Sequence, residues 1–71
     1  MDQTILYRGR PFRLTNAGAI TLMRRAVARH HAGDELSARR LVSLAVRTEA
    51  GLCTSAEAFD AADAVLMNIA A

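Results

Sequence analysis

Glycine positions set the strongest limit on what this 71-residue chain can fold into. Gly9 lies between two short apolar runs, and a glycine followed by one more residue is typical of a two-residue hairpin turn. Gly33 and Gly51 each follow a segment with helical spacing of apolar residues, which is the usual place for the glycine that ends a helix. We therefore predict one α+β domain over 1–71, mostly helical, with an N-terminal β-hairpin packed on a three-helix bundle (ββααα).

The predicted hairpin covers about residues 4–14, and its apolar pattern specifies a register. With a turn at Gly9–Arg10, Tyr7 faces Phe12. Ile5 then faces Leu14, and these four side chains share one face of the hairpin. A lone hairpin is unstable in water, so this face is predicted to pack on the helices.

The helices are predicted at about 16–31, 35–50 and 55–70 from apolar spacing and capping residues. Thr15 or Asn16 is expected to cap the first helix, Asp34 the second, and Thr54 with Glu57 forms a capping-box pattern for the third. The stripes predicted to be buried are Ala19, Ile20, Met23, Ala26, Val27 and His30; then Ala38, Leu41, Val42, Leu44, Ala45 and Thr48; then Phe59, Ala62, Val65, Leu66 and Ile69. Leu22 and Leu36 are predicted at the polar margins of their helices.

Charge is distributed unevenly along the chain. Residues 1–47 carry nine arginines against three acids, a net charge of +6, whereas residues 48–71 carry four acids and no arginine, a net charge of −4. All nine cations are arginine, and a guanidinium binds carboxylate or phosphate through two parallel hydrogen bonds. The sequence therefore predicts a basic body and an acidic last segment.

Residues suited to catalysis are few and poorly placed. His30 and His31 are adjacent on a helix and point about 100° apart, so they do not share one metal ion. His30 is expected to bond free carbonyls at the end of its helix. Cys53 has no neighbouring base and is interpreted as a small buried hydrophobe, and the acids of the third helix face outward. We predict no catalytic residue, no metal and no cofactor.

The arginines are the candidate binding residues. If the first two helices are antiparallel, the polar sides of these helices and the hairpin merge into one basic surface. Glu35 and Arg39 are also spaced for a favourable ion pair along the helix. The candidate partner-binding residues are Arg25, Arg29, Arg39, Arg40, Arg47, Arg8 and Arg10.

One stretch resembles a known class of DNA-binding protein. Phe12-Arg13-Leu14-Thr15, followed by two amphipathic helices with a glycine-containing turn, resembles ribbon-helix-helix repressors over residues 10–47. The resemblance implies a strand that pairs with a second copy and enters the DNA groove. Gly9 and Pro11 depart from that pattern because they interrupt the strand.

Other signals concern the compartment. The single cysteine excludes an internal disulfide and favours a reducing cytoplasm. The opening Met-Asp-Gln is not the basic start of a signal peptide. No uncharged stretch approaches the ~20 apolar residues of a membrane span.

We expect a cytoplasmic, non-enzymatic protein that binds a protein partner with an acidic surface. One form is a phage- or mobile-element-encoded inhibitor of a host defence or regulatory protein. The alternative is a small DNA- or RNA-binding regulator that contacts phosphates through the same arginines, with affinity that falls steeply as salt rises. Formation of a homodimer is a further alternative, with Leu22 and Leu36 as the candidate contact residues.

Overall fold

The computed structural model describes residues 2–70 of the chain and the side chains of residues 2–65. It contains a two-stranded antiparallel sheet followed by three helices, which confirms the predicted ββααα order. The elements are β1 (Gln3–Tyr7), β2 (Arg10–Leu14), α1 (Ala17–His31), α2 (Glu35–Glu49) and α3 (Ser55–Ala70). The hairpin lies mainly against α1, and α1 packs on both α2 and α3.

The hairpin has the predicted buried face but a different register. Tyr7 pairs with Arg10 and Ile5 with Phe12, so the predicted pairing of Tyr7 with Phe12 is wrong. The two turn residues are Arg8 and Gly9, with φ of 53° and 78°. Two left-handed residues form the type I′ turn, whose twist matches that of the strands. A change of two residues in pairing preserves the face of every side chain, because side chains alternate with a period of two.

Exposure confirms which hairpin face is buried. Tyr7 and Leu14 are buried, and Ile5 and Phe12 are half-buried against the core. Leu6 on the opposite face is 62% exposed. The amphipathic pattern therefore identified the packed face correctly although the turn was misplaced.

The helix boundaries follow local signals. Asn16 and Asp34 cap α1 and α2 by accepting hydrogen bonds from backbone N–H groups three residues on. At the start of α3, the Thr54 N–H donates to the Glu57 carboxylate and the Glu57 N–H donates to the Thr54 hydroxyl. Gly33 has a positive φ after α1, as expected at a helix end. These caps are confirmed.

One capping interaction was not predicted. The Glu49 carboxylate, in the last residue of α2, accepts from the Thr15 N–H at 2.8 Å and the Thr15 hydroxyl at 2.6 Å. It also accepts from the Asn16 N–H at 2.8 Å. These bonds hold the pKa of Glu49 below its usual range, chiefly through the Thr15 hydroxyl. The end of α2 is thereby fixed to the start of α1.

The core lies where the three helices meet. It confirms most of the predicted stripes, while Leu66 and Ile69 lie outside the residues whose side chains are described. Leu22 has no exposed surface, so its predicted place at a polar margin is wrong. The physical reason is that α3 covers this flank of α1: Ser55 approaches Gly18, which lies one helical turn before Leu22. Leu36 is 65% exposed, as predicted.

Candidate anion-binding cleft

An open cleft of about 530 Å³ separates the hairpin from α2. It exists because the hairpin packs mainly on α1, and the part of its apolar face that is directed to α2 is left unfilled. Its volume falls within the range of ~300–1,000 Å³ typical of small-ligand pockets. The residues that line it are Tyr7, Arg8, Arg10, Phe12, Arg39, Val42 and Ser43.

Local structure brings these side chains together. The tight turn places Arg8 and Arg10 on either side of Gly9 at the tip of the hairpin. On α2, Arg39 lies three residues before Val42 and four before Ser43, so all three share one side of the helix. Two independent elements therefore contribute arginines to the same space.

The cleft combines an apolar floor with a cationic rim. Tyr7 is 8% exposed, and Phe12 and Val42 are half-buried against the core. The guanidinium of Arg10 lies over the Phe12 ring, 5.6 Å from its centroid. This stacking leaves the edges of the guanidinium free to donate hydrogen bonds. Arg39 is exposed on the opposite wall.

A cluster of interacting polar side chains lies at one end of the cleft and is centred on Glu35. The Tyr7 hydroxyl donates to Oε2 of Glu35 at 2.7 Å, and Nδ1 of His30 bonds the other carboxylate oxygen. The Tyr7 and His30 rings meet edge to face with centroids 5.5 Å apart. Arg8 reaches within 3.8 Å of the same Oε2 atom. The cluster therefore ties the hairpin to the junction of α1 and α2.

The cluster also changes the titration of its members. The pKa of Glu35 lies below its usual range, first because of the Tyr7 hydroxyl and then because of His30. Burial, followed by the hydrogen bond to Glu35, raises the pKa of Tyr7. Glu35 thus stays ionised near neutral pH and offsets part of the charge of Arg8.

Two sequence predictions fail at this cluster. His30 bonds a carboxylate rather than helix-end carbonyls, because Glu35 at the start of α2 lies beside it. The predicted ion pair of Glu35 with Arg39 does not form among the described residues; the Glu35 carboxylate is bonded by Tyr7 and His30 instead. Arg39 is left directed to the cleft.

The charge of the cleft is only partly neutralised. Within residues 2–65, no carboxylate lies within salt-bridge distance of Arg10 or Arg39. Of the three cleft arginines, only Arg8 has an acidic neighbour among the described side chains, and the distance of 3.8 Å is long for a direct hydrogen bond. The cleft therefore presents net positive charge beside an apolar surface, an arrangement that favours an anion attached to an apolar group.

The structure separates the seven arginines predicted as binding residues. Arg8, Arg10 and Arg39 line the cleft. Arg40 and Arg47 are exposed on another side of α2, one residue and eight residues beyond Arg39.

The two predicted binding arginines on α1, Arg25 and Arg29, have partners within the protein. The guanidinium of Arg25 lies over the Phe59 ring of α3 at 5.3 Å. Nη2 of Arg29 donates to Oδ2 of Asp34 at 2.9 Å, and only a third of the Arg29 side chain is exposed. Arg25 thus links α1 to α3, and Arg29 links α1 to the N-cap residue of α2. Neither residue lines the cleft.

Of the α2 residues that line the cleft, sequence reasoning missed two. Val42 was assigned to the core stripe, and Ser43 lies outside the predicted buried stripe of α2. Their positions three and four residues after Arg39 are a signal for a shared face, but the hairpin that completes the cleft is distant in sequence. Only the packing of the hairpin on α1 reveals the second wall.

Cys53, Glu57 and Asp60 are not among the residues that line the cleft. Cys53 is half-buried against the core, and its sulfur lies 3.5 Å from the Thr48 hydroxyl. Glu57 caps α3, and Asp60 is exposed on the outward side of that helix. No group of three or more potential metal ligands is found among the described residues.

Comparisons with protein-family profiles, with curated proteins and with solved structures find no match for this chain. Among the described residues, no helix is long and apolar enough to cross a membrane. The function is therefore inferred from the cleft and the charges around it.

Proposed function

We propose that this protein is a small non-enzymatic interaction protein that binds an acidic region of a protein partner through the cleft arginines. The observation that carries the proposal is the convergence of Arg8, Arg10 and Arg39 on one concave surface with an apolar floor. Interfaces concentrate their binding energy in a few residues, among which arginine and aromatic residues are enriched. The cleft contains both kinds of residue within one small area.

The electrostatics support an acidic ligand. Arg10 and Arg39 lack a carboxylate partner within the described residues, so an incoming carboxylate replaces water rather than an existing ion pair. Arginine can bind a carboxylate through two parallel hydrogen bonds, which adds geometric selectivity to charge attraction. An inhibitor that occupies an acidic surface of a regulatory protein is one form of this activity.

The nucleic-acid alternative uses a different set of residues. Arg40 and Arg47 are exposed seven residues apart on α2, about 10 Å along the helix axis. Duplex binding distributes its energy over many phosphate contacts of similar size and weakens steeply with salt. Both alternatives therefore predict salt dependence, and they differ in which arginines matter.

Adjacent arginines on α2 provide a matched test. Binding is measured by fluorescence anisotropy of a labelled glutamate-rich peptide, its glutamine counterpart and a generic labelled DNA duplex. We expect the glutamate peptide to bind and Arg39→Ala to weaken it about tenfold, the loss of ~1.4 kcal/mol expected for one charge-assisted contact. Arg40→Ala, with the same chemistry on another side of the helix, should change binding less than about twofold.

Two outcomes would contradict the proposal. Equal losses for Arg39→Ala and Arg40→Ala, together with tighter binding of the duplex than of the peptide, would favour the nucleic-acid alternative. Charge attraction is weakly screened at ~50 mM salt. If neither the glutamate-rich peptide nor the duplex binds under this condition, the cleft arginines do not form a binding site.

A further inference from the structure

The composition of the cleft specifies more than an acidic ligand. A purely ionic site needs no apolar floor, yet Tyr7, Phe12 and Val42 form one beneath the three arginines. The part of this floor that stays open is mainly the half-buried Val42, because Tyr7 is almost fully buried and Arg10 lies over Phe12. Exposed apolar surface gains free energy when an apolar group covers it, in proportion to the area removed from water. The ligand that fits therefore carries an apolar side chain as well as carboxylates.

The edge of the hairpin argues against recognition by strand addition. Pro11 lies in β2 opposite Leu6. A two-residue turn is closed by a hydrogen-bonded pair and such pairs alternate, so Leu6 and Pro11 form a non-hydrogen-bonded pair whose N–H positions face outward. Proline has no N–H to donate there, which blunts this edge toward an added strand. At the β2 edge, side chains are therefore favoured over backbone pairing as the means of recognition.

The aromatic rings of the cleft are not free to stack on nucleic-acid bases. Tyr7 is 8% exposed and holds Glu35 through its hydroxyl. The face of Phe12 is covered by the guanidinium of Arg10. Proteins that bind single strands rely on open aromatic faces for successive bases. These contacts favour a peptide segment over a nucleic acid as the occupant.

We propose that the cleft binds a protein segment in which one aromatic or large aliphatic side chain is flanked by two carboxylates. The apolar side chain covers the Val42 side of the floor, and the carboxylates bond the guanidinium groups of Arg10 and Arg39. Arg8 contributes less because Glu35 already offsets its charge. This inference rests on the proposed function, since it specifies the sequence of the acidic segment that the same site binds.

Three labelled peptides separate the two contributions. They contain Glu-Phe-Glu, Glu-Ala-Glu or Gln-Phe-Gln within the same neutral flanking sequence, and each is titrated with the protein in an anisotropy assay. We expect Glu-Phe-Glu to bind at least about tenfold more tightly than Glu-Ala-Glu, as burial of one large apolar side chain predicts. Gln-Phe-Gln should lose most of its affinity.

A variant of the floor supplies the second measurement. Val42→Ala should weaken Glu-Phe-Glu several-fold and Glu-Ala-Glu much less, with thermal unfolding used to confirm that the variant is folded. Equal affinity of Glu-Phe-Glu and Glu-Ala-Glu would overturn the inference while leaving the proposed acidic ligand intact. Failure of all three peptides to bind would overturn both.

Discussion

Replacing Gly18 with alanine tests how closely α3 approaches α1. A Cβ atom at this position would lie 2.5 Å from Oγ and 3.0 Å from Cβ of Ser55. The Ser55 hydroxyl can rotate away. The Ser55 Cβ atom is bonded to the backbone of α3, since Ser55 is the first residue of that helix, and it moves only when the helix moves. Alanine therefore forces the two helices apart by a few tenths of an ångström.

Two opposing terms set the size of the effect of Gly18→Ala. Alanine is favoured over glycine within a helix by ~1 kcal/mol. Overpacking a well-filled contact costs about 1–3 kcal/mol. We expect a net destabilisation of ~1 kcal/mol, which lowers Tm by about 4–8 °C in a domain of this size.

Thermal unfolding followed by circular dichroism measures this change. In a Ser55→Gly background both Ser55 atoms are absent, and of the three close atoms only Oδ1 of Asn16 remains, 3.2 Å from the added Cβ. Gly18→Ala should therefore lower Tm less in this background than in the wild type. An increase in Tm on Gly18→Ala in the wild-type background would refute the close approach of α3 to α1.

Three further predictions concern residues that connect elements. Leu22→Ala should lower the free energy of unfolding, measured by urea denaturation, by about 2–5 kcal/mol. Leu36→Ala, at an exposed position, should change it by less than ~0.5 kcal/mol. Effects of similar size for the two variants would contradict the burial of Leu22. Glu49→Gln should lower Tm at neutral pH. Because the folded-state pKa of Glu49 is depressed, its stabilisation is present above the unfolded pKa and is lost as pH falls through the folded pKa, so the variant and wild type should converge in Tm only once the pH is below that folded-state pKa. Tyr7→Phe should raise the pKa of Glu35, measured by NMR titration, because the hydroxyl that most strongly lowers that pKa is removed; an unchanged pKa would contradict the contact.

The sequence predicted those features that depend on neighbouring residues. Asn16, Asp34 and the Thr54–Glu57 pair were identified as caps because a cap is a contact over three residues. The buried face of the hairpin was identified because alternation survives a change of register by two residues. The turn itself was misplaced, since Arg8 adopts the left-handed conformation that glycine usually supplies.

Features that depend on contacts between distant elements were not predictable in this way. A single helix pattern assigns one buried face, but α1 packs against α2, α3 and the hairpin, and Leu22 is fully buried. Arg39 was a candidate binding residue, yet its neighbours in the cleft belong to a hairpin some 30 positions earlier in the chain. The arginines could therefore be named from the sequence, but their division between cleft, helix contacts and open surface required the packing.

The most direct test of the cleft as the binding site is a chemical-shift map. The ¹⁵N-labelled protein is titrated with the unlabelled Glu-Phe-Glu peptide, and the backbone amide shifts of every residue are followed. The proposed site predicts the largest changes at Arg8, Arg10, Phe12, Arg39 and Ser43, with little change at Arg47 or along α3. Shifts centred on Arg40 and Arg47, or spread evenly over the basic surface, would contradict the assignment of binding to the cleft.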